Sequence, residues 1–312
     1  MDMGHPAHVH FFRNAIRELE RRGHSVKVTA REKDVTLRLL EYYKFKYTIR
    51  PSGWRPLNLF SASKFIRKLG GDVDVFAGVH NPYVALAAQR LGKRCVLFTD
   101  TPGSGMANRF SVERASCVCT PDCLAGMFSH QATYPGYKEM AYLHPRVFRP
   151  EPGVLAENGI ASGEKYYMVR FIKWSAYHDK GMKGMSASEK KELVQALAGK
   201  GKVVLCSEGD EPVSEPGVRI AKPEHAHSLL FYSSGYVGEG ATMAKEAAVL
   251  GVPSVYASPI RSLPPIDKLA KEGRLTQIER YNLDTIMKSL GAKKPQMEMF
   301  DLTAEIVRRV EG

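Results

Sequence analysis

Several shortages in this 312-residue sequence narrow what the chain can be. No apolar run approaches the roughly 20 residues that cross a bilayer. The first residues, MDMGHPAHVHFF, are not a basic segment followed by an apolar one, so the protein is expected in the cytoplasm, with peripheral attachment to the inner membrane face left open. Cysteine is limited to five, an odd number, which without a leader implies reduced thiols. Cys117, Cys119 and Cys123 are the one cluster, and no fourth ligand or matching pair accompanies them. Buried structural thiols are expected there, with no metal site. The sequence also lacks an arginine-rich arm, zinc-finger spacing and the aromatic signature of RNA binders, so nucleic acid is not the expected partner.

What is in excess is positive charge, 45 Lys and Arg against 33 Asp and Glu, a net +12 spread along the chain. An anionic small molecule accounts for it best, a phosphorylated one with or without a lipid tail at a membrane. Hydrophobic residues at 44% and charged residues at 25% fit a globular enzyme, and the length suits two domains.

Strand and helix patterns alternate. A helix over Ala7 to Arg22 leads to an apolar run, Val26 to Ala30. Helices at Val35–Tyr43, Leu57–Leu69 and Pro82–Leu91 alternate with strands at Tyr47–Ile49, Val73–Ala77, Cys95–Thr99 and Ala115–Cys119. Such alternation builds a parallel sheet covered on both faces, whose ligands sit at the carboxyl ends of the strands. Only two or three residues precede Gly4, little for a first strand, so a few residues are expected ahead of Met1. LHPRVFRPEPG, from Leu143 to Gly153, has three prolines and no period, and reads as a linker. A second alternation follows, with strands at Tyr166–Phe171, Val203–Cys206, Gly235–Val237 and Pro253–Tyr256 and helices at Ser188–Ala198 and Pro223–Tyr232. Further helices are expected near Ser262–Glu272, Leu283–Leu290 and Leu302–Val310. The expected fold is α/β, with two Rossmann-like doubly wound parallel-sheet domains facing a cleft. Residues 1–148 form the first and 149–312 the second, with the last helix packing back on the first.

The stretch GYVGEGATMAKEAAVLGVPSVY, Gly235 to Tyr256, is the richest in chemistry. Gly238 and Gly240 allow close backbone approach, and Ala241, Thr242 and Met243 present amides at a helix N-terminus, where negative charge is favoured. Glu246, one turn beyond Thr242, is placed to accept bonds from sugar hydroxyls. A tight strand-to-helix turn without ligand is the plainer reading. VRFIKWSAYHDKGMKG sets Arg170, Lys173, His178, Asp179 and Lys180 near a strand end, a density of donors that suits a diphosphate. Arg170 interrupts an apolar strand and needs an anion, read as a ligand phosphate in preference to a structural carboxylate.

In the first half, GHPAHVHFF carries Gly4, His5, His8 and His10. His8 could serve as a general base near neutral pH, while His10 beside two phenylalanines reads as packing. TDTPGSGMANRF can present Asp100, Thr101 and Asn108 to a ligand, although turn chemistry also explains it. PGYKEMAYL puts Lys138 and Glu139 beside the linker, either lining the cleft or solvated.

GHPAHVHFF, GYKEMAYLHP, VRFIKWSAYHD and TMAKEAAVLGVP resemble the largely archaeal family called domain of unknown function 354, over nearly the whole chain. That family is grouped with the two-domain glycosyltransferase-B fold. It is similar to the peptidoglycan N-acetylglucosaminyltransferase that acts on a lipid-linked acceptor, and to the non-hydrolysing UDP-N-acetylglucosamine 2-epimerases. The resemblance implies that His8 lies in the acceptor and diphosphate region and Asn108 on the acceptor side. It also implies that Thr242 and Met243 supply amides to the diphosphate and that Glu246 takes the ribose hydroxyls. Where the family has an acidic run ending in glutamate, histidine and alanine, this chain reads DTPGSG, and the acidic set of the epimerases is not found in full.

The expected function is a metal-independent, inverting glycosyl transfer from a nucleotide sugar, UDP-linked, to an acceptor hydroxyl, with His8 or Asp100 as base. Gly4, His5, Thr101, Asn108 and Glu139 are expected on the acceptor side. No cofactor is expected, the acceptor is a polyprenyl phosphate or glycolipid, and the protein is a monomer or homodimer. The alternatives are a nucleotide-sugar epimerase and a non-catalytic nucleotide-sugar binder.

Overall fold

A computed structural model describes the chain except residues 53–54, 104, 173–183, 207–217, 221, 261–262 and 293–296, and except the side chains of 55–58 and 218–220. The chain divides into two compact units, one of Met1–Val147 with Met299–Gly312 and one of Phe148–Glu298.

The first unit runs β1 (Asp2–Met3), α1 (Pro6–Arg21), β2 (Thr29–Ala30), α2 (Thr36–Tyr42), β3 (Thr48–Ile49), α3 (Arg55–Leu69), β4 (Val75–Val79) and α4 (Pro82–Leu91). It continues with β5 (Arg94–Phe98), α5 (Gly105–Phe110), β6 (Cys117–Pro121), β7 (Gln131–Tyr134) and α6 (Met140–Leu143). Among the described residues its sheet has seven strands in the order β3-β2-β1-β4-β5-β6-β7, every pairing parallel. The order reverses between β1 and β4, which splays the loops after those strands and leaves a crevice at their carboxyl ends.

Local chemistry fixes the helices that border this crevice. The His5 ring caps α1 by accepting from Ala7 N, and Pro6 supplies a preset first turn. Phe11 and Phe12 of α1 then pack on Phe98 of β5, with ring centroids 5.2 and 5.9 Å apart. Asn81 caps α4 in the same way, ahead of Pro82. Leu97 and Val118, pointing to the opposite face from Phe98, join Ile66 of α3 and Val84 of α4 in a second core.

The second unit runs α7 (Gly153–Glu157), β8 (Tyr166–Arg170), α8 (Ala187–Ala198), β9 (Lys202–Leu205), β10 (Val218–Ile220), α9 (Ala226–Tyr232) and β11 (Tyr236–Gly238). Then come α10 (Ala241–Val249), β12 (Ser254–Ala257), α11 (Pro264–Lys271), β13 (Thr276–Ile278) and α12 (Leu283–Leu290). Its parallel sheet is ordered β10-β9-β8-β11-β12-β13, reversing between β8 and β11. Val169, Val237 and Val255 of three neighbouring strands share a core with Leu193, Leu197 and Ile286. The final helix, α13 (Leu302–Glu311), belongs to the first unit. Thr303 Oγ1 donates to Ala141 O at 2.9 Å, and Arg94 Nη1 satisfies Val310 O at 3.0 Å near the end of the helix.

Some elements differ from the sequence pattern. Only Thr29–Ala30 of the run Val26–Ala30 enters the ladder, because β1 places residues opposite that part alone. The strand expected at Ala115–Cys119 begins at Cys117, after Ser116 turns its hydroxyl to accept from Cys95 N. Edge strands β7, β10 and β13 were absent from the expectation, since an edge strand need not be continuously apolar. The proline-rich linker is not loose: Phe148 is buried with its ring against His227, and Glu151 N donates to Ser228 Oγ. Lys138 and Glu139 are buried, not solvated. Of the cysteine cluster, Cys119 is buried but Cys117 and Cys123 are only partly so. Cys117 Sγ lies 3.7 Å from Cys119 Sγ, and that contact, against burial and helped by Arg309 and Arg94, lowers the Cys117 thiol to about 6.

Beneath the first unit's crevice lies a buried ionic network. Asp2 Oδ1 accepts from Thr29 Oγ1 at 2.7 Å and from Arg50 Nε at 2.9 Å, and Asp2 Oδ2 accepts from Asn81 Nδ2 at 2.6 Å. The Arg50 guanidinium also stacks on Tyr83, 4.2 Å from the ring centroid. Four donors to one carboxylate tie β1, β2, the end of β3 and the start of α4 together directly under Gly4.

Candidate functional site

Each unit gathers polar groups at the carboxyl ends of its strands. In the first, the loop after β1 carries Gly4 and His5, and His8 stands in the first turn of α1. His8 Nδ1 accepts from Gly4 N at 3.3 Å, so the neutral ring holds its proton on Nε2. Burial, then His5 and Lys138, holds this imidazole well below its usual range, with Asp100 opposing. Asp100, one residue past the adjoining end of β5, lies 2.9 Å from Lys138 Nζ, both side chains being about nine-tenths buried. Thr101 Oγ1 is 3.5 Å from Asp100 Oδ1, a weak contact. His8, Asp100 and Lys138 are thus one electrostatic cluster. Glu139 is fully buried beside it, with Tyr134, whose hydroxyl burial and the Asp100 and Glu139 carboxylates push far up.

His80, absent from the sequence reading, enters this cluster at the end of β4. Its backbone has φ of +41°, a left-handed conformation that non-glycine residues adopt at a cost. Thr99 Oγ1 donates to Thr101 O at 3.0 Å and so can only accept from His80 Nδ1, 3.1 Å away. That fixes the tautomer: the proton is on Nδ1 and Nε2 is bare. His80 Nε2 and Asn108 Oδ1 are buried with no hydrogen-bond partner among the described residues. Both press on Gly103, where an added Cβ would lie 2.2 Å from Asn108 Oδ1 and 2.9 Å from His80 Nε2. Burial lowers the His80 imidazole against the pull of Asp100, and the Asn108 amide lies close enough to favour the protonated ring without a formed bond. The strained backbone and its bare nitrogen appear only once β4 and β5 are side by side.

The second unit presents the glycine-rich turn. Gly238 ends β11, where a Cβ would meet Tyr236 Oη at 2.2 Å and Arg170 O at 2.9 Å. Gly240 is the cap of α10 and offers no side-chain bond to the helix, so the first-turn amides at Ala241, Thr242 and Met243 have no side-chain cap. A Cβ on Gly240 would lie 3.5 Å from Arg170 Nε. The guanidinium at the end of β8 therefore lies along the N-terminus of α10, and two sources of positive potential converge. Ala241 and Thr242 are partly exposed, whereas Met243 is buried. Glu246 is also buried, its Oε1 3.1 Å from His227 Nε2, so one oxygen is engaged within the unit. Glu239, which the sequence reading passed over, accepts from Ile172 N at 3.2 Å and Met185 N at 2.7 Å, clamping both ends of the segment after β8. His178, Lys173, Asp179 and Lys180 lie outside the described residues. Among the described residues no group of three His, Cys, Asp or Glu side chains could hold a metal ion, and no helix is long and apolar enough to cross a membrane.

Solved structures share this two-sheet plan. UDP-GlcNAc 2-epimerase from Methanocaldococcus jannaschii aligns with a TM-score of 0.74 at 13% identity, over 99% of this chain and 98% of that one. A glycosyltransferase from Streptomyces sp. SF2575 aligns at 0.58 and 13% identity, over 100% and 98%. The chain has the glycosyltransferase-B fold. UDP-GlcNAc 2-epimerase from Neisseria meningitidis, solved with UDP-GlcNAc bound, aligns at 0.66 and 11% identity, over 99% and 98%. At such identities the likeness shows the fold alone. No family model matches the chain, and no curated protein does.

Proposed function

We propose that the protein binds a nucleoside-diphosphate sugar, UDP-linked, and transfers the sugar with inversion to an acceptor hydroxyl, without metal or cofactor. The observation that carries this reading is Arg170 laid along the open N-terminus of α10 at Gly240. A guanidinium and a fan of amides suit a diphosphate, whose charge grows as it leaves. Glu246, steadied by His227, would take the ribose hydroxyls.

In the transfer the acceptor oxygen bonds to the anomeric carbon, opposite the diphosphate, and gives its proton to a base. The bond from that carbon to the diphosphate oxygen breaks, and the electron pair leaves on the diphosphate, toward Arg170 and the amides of Thr242 and Met243. His8, Asp100 and His80 are the candidate bases. His80 is the one whose bare Nε2 needs no prior rearrangement, because His8 Nδ1 is tied to Gly4 N and Asp100 to Lys138. Gly4, His5, Thr101, Asn108 and Glu139 would border the acceptor. The net charge of +12 suits an acceptor carrying a polyprenyl phosphate or a glycolipid head at an anionic surface. A monomer or a homodimer is compatible with these roles.

A thermal-shift screen of nucleotide sugars on the parent and on Glu246→Ala tests the ligand. UDP-sugars should stabilise the parent and the variant less, and equal stabilisation would remove Glu246 from the site. Turnover with a panel of lipid-linked acceptors tests the transfer. A second reading, epimerisation of the nucleotide sugar, is favoured by the bare Nε2 of His80 near Asp100, a base able to take a carbon-bound proton. Epimerised sugar or free UDP from UDP-N-acetylglucosamine alone would decide for it and against transfer. Tight UDP binding with no turnover on any panel would indicate a non-catalytic binder.

A further inference from the structure

The amino-terminal end of the first sheet holds a cavity of about 340 Å³, remote in the fold from the strand ends that carry His8 and Asp100. Its shape follows from strand register. β1 lies between β2 and β4 but supplies only Asp2 and Met3, with Asp2 opposite Gly78 on one side and Thr29 on the other. β4 begins at Val75, three residues before Gly78. Continued backwards, the register sets Met1 opposite Ala77 and Val28, a preceding position opposite Phe76 and Lys27, and one more opposite Val75 and Val26. Val26, Lys27, Val75 and Phe76 all line the cavity. Its remaining walls include Leu19 of α1 and Val310 of α13, with Ile66 and Leu69 of α3, so apolar side chains come from both helical layers.

The ladder already reaches into this space. Thr29 N donates to Met1 O at 2.9 Å, and the Met1 ammonium donates to Lys27 O at 2.7 Å, the bond that a strand amide would make. An ammonium is the wrong group at this place, and burial drives its pKa down to about 6 against the pull of Asp2.

We propose that this slot is a strand acceptor, taking two extended residues joined to Met1, parallel to Val26–Val28 and Val75–Ala77, with apolar side chains toward both helical layers. The occupant replaces the ammonium by an amide, gives Val26–Val28 a partner to pair with and fills the cavity. Its chemistry is that of a parallel central strand, β-branched and uncharged.

The test joins short segments to the full chain ahead of Met1: Met-Val-Ile, Met-Gly-Ser and Met-Val-Pro, with Nα-acetylated parent as control. Met-Val-Ile should raise Tm by at least about 2–4 °C over the parent and slow amide exchange at Val26–Val28 and Val75–Ala77. Met-Gly-Ser should gain less, because it fills no volume. Met-Val-Pro should gain little, because its proline has no N–H to donate to β4. Equal Tm across the three segments would overturn the proposal, and so would acetylation alone giving the whole effect, since loss of the charge would then suffice.

Discussion

Lys138 and Asp100 form a buried ion pair, Nζ to Oδ1 at 2.9 Å, between the segment after β7 and the end of β5. The pair also sets the electrostatics of His8, because Lys138 disfavours the protonated ring and Asp100 favours it. Lys138→Met leaves the carboxylate buried without its cation, and should cost about 3–5 kcal/mol of stability. In protein that still folds, the His8 titration followed by NMR should move to higher pH. An unchanged midpoint would show that the two groups do not sense each other.

Acid should weaken the protein through His8. Its pKa is lowered by folding, so below the ordinary histidine value of about 6.5 the unfolded chain takes up the proton more readily. The His8 contribution is complete above that value and is lost as the pH falls from it toward the folded pKa. Urea midpoints measured from pH 8 to pH 5 should fall more steeply for the parent than for His8→Gln. Parallel curves would remove His8 as the cause.

Arg50 holds Asp2 in place at a site where neither reaches solvent, the two being 2% and 0% exposed. Arg50→Met should therefore cost about 3–5 kcal/mol, read from chemical unfolding. The double variant Asp2→Val with Arg50→Met should regain much of that loss, because no charge is then stranded. A double variant as weak as the single one would assign the stability to packing of Arg50 on Tyr83 instead.

The two glycines of the cradle should respond differently to alanine. At Gly238 the new methyl meets the buried Tyr236 hydroxyl and the Arg170 carbonyl, so Gly238→Ala should lose about 1–3 kcal/mol. At Gly240 the neighbours stand at 3.4–3.7 Å and φ is −93°, so alanine is accommodated and Tm should stay within about 2 °C. The same methyl stands where the diphosphate is expected, so UDP affinity should fall at least about tenfold. Unchanged affinity in a folded Gly240→Ala protein would place the nucleotide elsewhere.

Much of the plan was legible from one-dimensional signals. Asn81 before Pro82 marked a helix start, and the apolar runs at Cys95–Thr99 and Tyr166–Phe171 marked buried strands, because caps and parallel strands write their requirements into adjacent residues. The edge strand β13, with all three residues partly exposed, carries no such mark. In the candidate site, Arg170 and Gly240 were named from the sequence as polar or glycine interruptions of apolar patterns. His80 and Glu239 were not, since one precedes an ordinary cap and the other looks like a turn carboxylate.

By itself the sequence determined the alternation of strands and helices, the positive charge and the glycine-rich start of α10, all consequences of neighbours along the chain. Only the tertiary structure decided that Asp2 meets Arg50 and Asn81, that Thr99 fixes the proton on His80, and that Arg170 lies against Gly240. Each pairing joins elements adjacent in a sheet but distant in sequence. In a parallel sheet neighbouring strands are separated by whole crossovers, so strand order, not local pattern, chooses which polar groups meet.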